Sequence, residues 1–240
     1  MGGHFDAVGF GDPALGFAAT RERLRAAIER GQRAAETAEY AYFQLETPEG
    51  CGLVAVTDQA GYLLNGCPYF RGTERQTIEV EQLAPWDAAE AYLGGATGTL
   101  IDRSGSPVFP IAFAVPLYAT TVERPPAQSE YNIVGLGYRA VSHASESRLP
   151  HDGRPASYLQ PSGLDSRLPS SRRCNVDCRG RIQHAAFLTN SLTGARLAYA
   201  LLDCDEASLE IVIDVPSLSG GLAQGAFLEG SFWLVGRPVE

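Results

Sequence analysis

Cys174-Asn-Val-Asp-Cys178, with His184 six residues on, is the run whose residue types and spacing best suit a metal. Zinc takes four nitrogen or sulfur ligands in a tetrahedron, and a pair of cysteines two to four residues apart supplies half of them. Asp177 adds an oxygen, and the second pair would come from His184 with Cys204 or His151. An extended strand over residues 179–189 would carry His184 about 20 Å from Cys178. The metal reading therefore needs a bend, and separately buried thiols compete with it. Cys51 and Cys67 flank a hairpin signal and read as core thiols, with a disulfide across the hairpin as the alternative. His143 and His151 stand near Ser145, Ser147 and Asp152, the residue types of a nucleophilic triad, but no Gly-x-Ser-x-Gly elbow frames a serine. Gly135-Leu-Gly137 and the glycines of residues 94–98 lack the strand, loop and helix context of a phosphate site, and read as turns or bulges.

Composition removes whole classes of chemistry. All 19 basic residues are arginine, and lysine is absent from the 240. Schiff-base chemistry, P-loop nucleotide hydrolysis and kinase chemistry all need a lysine, so they are excluded. The formal net charge is −9, and from Cys174 onward four arginines face eight carboxylates. A nucleic-acid partner needs a cationic face, so this balance makes nucleic acid an unlikely partner. The N-terminus shows no basic and then apolar signal pattern. Residues 111–119, the longest apolar stretch, contain Pro116 and are too short to span a bilayer. Five cysteines do not make a disulfide framework. The expectation is an acidic cytoplasmic protein with reduced thiols, no membrane partner, and no cofactor required by any motif.

These residues must be positioned by a mixed set of elements. Residues 5–10 read as a short strand, broken at Gly11-Asp12-Pro13, where Asp12 is one candidate helix cap and Thr20 the other. A helix is clearest over residues 21–30, with Phe17, Leu24 and Ile28 on one face and Gly31 as the stop. Residues 32–37 suggest a further helical turn. Strands are expected over 40–45, 52–57, 61–64, 77–81, 98–102, 108–118 and 131–138, with a short helix over 86–93. Residues 142–173, rich in Ser, Pro and Arg, read as a long loop or linker. Four strands follow, at 179–189, 196–203, 209–215 and 226–235. Leu209, Ile211 and Ile213 alternate with Glu210, Val212 and Asp214, which predicts a sheet with one buried face.

Gly225-x-x-Leu228-x-Gly230-x-Phe232-Trp233-Leu234-x-Gly236, with the strands before it, resembles the closing half of an oligonucleotide/oligosaccharide-binding (OB) barrel. The resemblance covers about the last 65 residues and implies a binding surface around Trp233, Phe232, Tyr199 and Phe187. Single-strand binders of that fold join aromatic platforms to a basic groove, whereas this segment is acidic, which favours a structural barrel or one that binds protein. His4-Phe-Asp-Ala-Val-Gly-Phe10, the helix ending at Arg30-Gly31 and the strands of residues 40–64 are similar to one module of the vicinal-oxygen-chelate superfamily. That likeness implies a divalent metal on His4 and Glu46, with no third ligand matched. The chain as a whole resembles a bacterial family sharing this start and the Phe-Trp-Leu-x-Gly ending, which implies no activity.

The sequence therefore reads as an α+β chain. An α/β-sandwich-like domain would occupy residues 1–120, a strand and a Pro/Ser/Arg-rich linker 121–173, and a small OB-like barrel 174–240. The expected function is a non-catalytic protein- or ligand-binding module with Trp233 at a partly exposed surface. A metal-dependent enzyme of the vicinal-oxygen-chelate type and a single-strand nucleic-acid binder are the alternatives. The candidate metal ligands are His4, Glu46, Cys174, Cys178 and His184.

Overall fold

Helical periodicity is confined to one stretch of the chain, and nearly all other regular structure is sheet. The computed structural model describes residues 4–11, 16–87, 91–102, 104–121, 128–162, 173–205 and 207–239, apart from the side chains of Phe17, Thr120 and Thr121. Of these residues 57% are strand and 13% helix, so the fold is mainly β and the α+β, α/β-sandwich reading does not hold. The helix α2 (Phe17–Arg30) buries Ala19, Thr20, Leu24 and Ala27 on one face. The expected strand at residues 5–10 is instead a helical turn, α1 (His4–Ala7), closed when the N–H groups of Phe10 and Gly11 bond to Phe5 O at 2.8 and 3.0 Å. Ala7, Val8 and Phe10 are all buried there, which a compact turn allows and a one-sided strand does not. Residues 32–37 do not extend α2 either: β1 (Gln32–Glu36) pairs with the next strand.

Four antiparallel strands make the smaller sheet, in the order β1, β2 (Tyr40–Glu46), β3 (Cys51–Asp58) and β4 (Leu63–Phe70). Residues 51–57 of β3 are buried without alternation. The helix α2 touches β2, β3 and β4 on one side of this sheet. The other side joins a hydrophobic cluster with Leu136, Val212, Trp233 and Val235 of the larger sheet.

The larger sheet contains β5 (Gln76–Pro85), β6 (Gly94–Ile101), β7 (Pro107–Val115), β8 (Gln128–His143), β9 (Tyr158–Pro161), β10 (Asn175–Thr189), β11 (Arg196–Asp203), β12 (Ser208–Asp214), β13 (Leu218–Ser219) and β14 (Phe227–Pro238). Its ladders close two circuits that share β8 and β14. One runs β10–β11–β12–β8–β14 and back to β10. The other runs β5–β6–β7–β14–β8 and back to β5. A self-contained OB-like barrel over residues 174–240 is therefore also corrected. The circuit closes only through β8, which lies parallel to β12 with Ile211 opposite Gly135. Local alternation reports strands but not such distant partners.

Both faces of the shared strands are covered, giving two cores. Leu209, Ile211, Ile213 and Phe232 belong to one, the inner core, and Val212 and Trp233 to the other, the outer core shared with the smaller sheet. The one-sided burial expected for β12 fails because the smaller sheet and α1 cover what would have been its wet face. Within residues 142–173, Ser142 and His143 end β8, a 3₁₀ turn spans Glu146–Arg148, and β9 pairs with β10. Residues 163–172 of that expected loop lie outside the described residues, as do residues 88–90 of the expected helix over 86–93, Asp12 and Pro13. Trp86 and Leu93 are tied by a backbone bond of 3.0 Å. Among the described residues no helix is long and apolar enough to cross a membrane.

Candidate functional site

A cleft of about 760 Å³ opens between the two circuits. The β6–β7 turn stands on one side, the β11–β12 hairpin on the other, and the first residues of β5 between them. Leu100, Ile101 and Leu201 contribute apolar wall, and Gln76, Thr77, Gln183, Ser104 and Ser208 neutral polar groups. Among the described residues the charged lining is Glu74, Asp102, Asp203 and Asp205 against one cation, Arg75. Arg75 is itself paired with Glu130 at 3.3 Å.

Local structure fixes these carboxylates at the rim. Asp102 accepts the N–H groups of Ser104 and Ser106, each at 2.8 Å, and the Ser104 hydroxyl at 2.7 Å. Those donors, Ser104 first, hold the Asp102 carboxyl below its usual range, so it is ionised at neutral pH. Asp203 accepts the Asp205 N–H at 3.3 Å. Asp205 has φ +74°, a left-handed conformation that aspartate tolerates better than most residues, and it turns β11 back into β12. Glu74 is held from behind. Its N–H donates to Glu210 Oε2 at 3.0 Å, and its carbonyl accepts Asn132 Nδ2 at 2.7 Å. Glu210 is wholly buried and also receives the Thr73 N–H and hydroxyl and the Tyr199 hydroxyl.

The residues singled out in the sequence lie elsewhere, and the structure does not gather them. Trp233 and Phe232 are buried, at 2% and 0% exposure, on opposite faces of β14. A partly exposed platform at Trp233 is thus corrected: the smaller sheet and α1 cover it. Tyr199 is half-buried and bonded to Glu210 at 2.7 Å, and Phe187 is exposed beneath Arg196, 5.8 Å from its ring centroid.

The expected zinc knuckle is divided. Cys174 sits in the outer core with Cys67, Cys178 in the inner core beside Cys204, and His184 is exposed. The Cys178 thiol is pushed up by its hydrogen bond with Cys204 and by burial, and burial raises Cys174 to about 12. Cys51 and Cys67 are not opposite each other, since Cys51 faces Phe70 and Cys67 faces Val54. His4 packs on Trp233 and Tyr138, whereas Glu46 binds Tyr69, Arg71 and Arg237. Among the described residues no three His, Cys, Asp or Glu side chains could hold a metal together.

No triad forms around His143 either. Asp152 pairs with the buried Arg179 at 2.8 Å, and Arg179 also binds Glu229 at 2.9 Å and Pro155 O at 3.0 Å. This network straps residues 152–158 to β10 and β14. His143 Nε2 lies 3.7 Å from Glu229, His151 is exposed, and the Ser145 and Ser147 hydroxyls bond to each other.

His4 gives the fold an acid-sensitive point. Burial lowers its pKa from 6.5 to about 4, while its ring stacks on Trp233 at 4.0 Å and a ring nitrogen bonds to Tyr138 Oη at 2.7 Å. The neutral form is the one the folded state holds. This contribution is complete above pH 6.5 and is lost as pH falls towards 4, by which point the loss amounts to about 3 kcal/mol. The free energy of unfolding from urea denaturation should fall about 3 kcal/mol further between pH 7 and 4 in the wild type than in His4→Phe. Parallel curves for the two proteins would contradict this assignment.

No protein-family profile, curated protein or solved structure matches the chain.

The cleft joins residues 74–77, 100–104 and 201–208, which no sequence motif connects. A signal was nevertheless present: Asp203 is the last residue of β11, and Asp102 and Asp205 lie in the turns just past β6 and β11.

Proposed function

We propose that this chain is a non-catalytic cytoplasmic binding module whose partner presents a positive charge to the cleft, most simply an Arg- or Lys-bearing segment of another protein. The single observation that carries the reading is the cleft's charge, among the described residues four carboxylates against one paired arginine in about 760 Å³. That volume is in the range of ligand-binding pockets. Like-signed charge in a cleft focuses the field and attracts the opposite sign, and the same field repels phosphates, which argues against nucleic acid at this face. Amide, hydroxyl and apolar wall groups between the carboxylates suit the stem and head of an arginine or lysine.

Fluorescence anisotropy of a labelled oligo-arginine peptide tests the reading. Binding should be saturable, and it should weaken steeply between about 0.05 and 0.5 M salt as screening shortens the reach of exposed charges. A double variant, Asp203→Asn with Asp205→Asn, should bind about tenfold more weakly at low salt. Equal affinity of wild type and double variant would show that the peptide is not held in this cleft.

A further inference from the structure

The helix α2 packs on the smaller sheet through Leu24 and Ala27, and its outward face is cationic. It carries Arg21, Arg23, Arg25 and Arg30 against Glu22 and Glu29, in a chain whose net charge is −9. Arg21, Arg25 and Arg30 are exposed, and Arg23 is half-buried. Among the described residues none of these four arginines makes an ion pair, whereas Arg33, just past the helix, is paired with Glu36 at 2.7 Å. Arg21 and Arg25 stand one turn apart, a spacing at which like charges destabilise a helix. The first turn holds no acidic residue, so the positive end of the helix dipole adds to the same field.

We propose that α2 is a docking face for the acidic cleft of a second copy of this chain, with Arg21 and Arg25 entering among Asp102, Asp203 and Asp205. The assignment rests on the cleft's reading as a cation site and names its occupant. Charge complementarity carries it. Among the described residues the cleft sets four carboxylates against one arginine that is already paired, and α2 sets four unpaired arginines against two glutamates. A guanidinium matches a carboxylate with two parallel hydrogen bonds, and its stem suits the apolar wall of Leu100, Ile101 and Leu201. The helix is anchored on the smaller sheet and the cleft opens in the larger one, so α2 serves a neighbour's cleft. Two copies can exchange helices reciprocally, or successive copies can add head to tail. Either arrangement makes the mass in solution depend on concentration and on salt.

Sedimentation velocity of the full chain, up to about 200 μM, tests the proposal. At about 0.05 M salt the mass should rise above that of one chain with concentration, and at about 0.5 M it should return to one chain. Arg21→Glu with Arg25→Glu reverses the helix face. Asp203→Arg with Asp205→Asn reverses the cleft, asparagine keeping the left-handed backbone at 205. Each double variant alone should associate at least about tenfold more weakly, and mixing the two should restore association, since a reversed helix then meets a reversed cleft. Should the reversed helix fail to fold, Arg21→Gln with Arg25→Gln takes its place, with association weakened about threefold or more. A single chain at every concentration at low salt would overturn the proposal, as would association unchanged in a folded variant or not restored by mixing. The helix variants keep the cleft intact and should bind oligo-arginine as the wild type does. Peptide binding by a chain that stays single would therefore remove α2 as the occupant and leave the cleft's reading standing.

Discussion

Glu210→Ala should lower the free energy of unfolding by about 4 kcal/mol, measured by urea denaturation at pH 7. The side chain is wholly buried, and both oxygens face donors only. Oε2 takes the N–H groups of Thr73 and Glu74 at 2.8 and 3.0 Å, and Oε1 takes the hydroxyls of Thr73 and Tyr199 at 3.0 and 2.7 Å. Alanine strands these donors in a site where Gly72 already comes so close that a Cβ would stand 2.4 Å from Oε2. Glutamine is nearly isosteric but must aim an NH₂ at one of the two donor pairs, so Glu210→Gln should still cost about 2 kcal/mol. Residues 72–74 connect the smaller sheet to the larger one and bring Glu74 and Arg75 to the cleft wall. The same substitutions should therefore weaken cationic peptide binding in protein that remains folded. A cost under about 1 kcal/mol for Glu210→Ala would mean that this connection is held by something else.

Trp233→Ala should cost a similar amount, about 4 kcal/mol, because it empties the largest buried side chain of the outer core. His4 stacks on that ring at 4.0 Å and Trp86 meets it edge-on at 5.8 Å, so neither neighbour can collapse into the space without leaving its own partners. Trp233→Phe, which keeps an aromatic ring, should cost about half as much. Loss of the His4 stack should also shrink the acid-sensitive step between pH 6.5 and 4. The result that contradicts this account is a cost under about 1 kcal/mol for the alanine variant, as expected of an exposed aromatic.

Period and turn chemistry made several elements legible. The helix over residues 21–30 and the strands at 40–45, 196–203 and 209–215 lie within a few residues of α2, β2, β11 and β12. The fold class was misread because it depends on pairing. Nothing in the alternation of residues 209–214 announces that β8 lies parallel beside them, or that α1 and the smaller sheet cover their second face. Phe5 and Phe10 flank an apparent strand, yet their backbones close on each other in a helical turn. Residues 32–37 have helical composition, but pairing with β2 outweighs that weak preference.

The candidate sites were misread for a related reason. Sequence reasoning weighted rare residues, Cys, His and Trp, and in this fold Trp233 and all five cysteines fill its two cores. The cleft is made of common ones. Asp102 and Asp203 are a hundred positions apart and face a shared space only because the two circuits are joined through β8 and β14.

Mapping of backbone amide shifts during titration with an oligo-arginine peptide tests the central claim most directly. The account predicts saturable shifts centred on Glu74, Asp102, Asp203 and Asp205, abolished by high salt and reduced in the Asp203→Asn, Asp205→Asn variant. Shifts confined to other surfaces, such as exposed Phe187 with Arg196, or no saturable shifts at low salt, would contradict it.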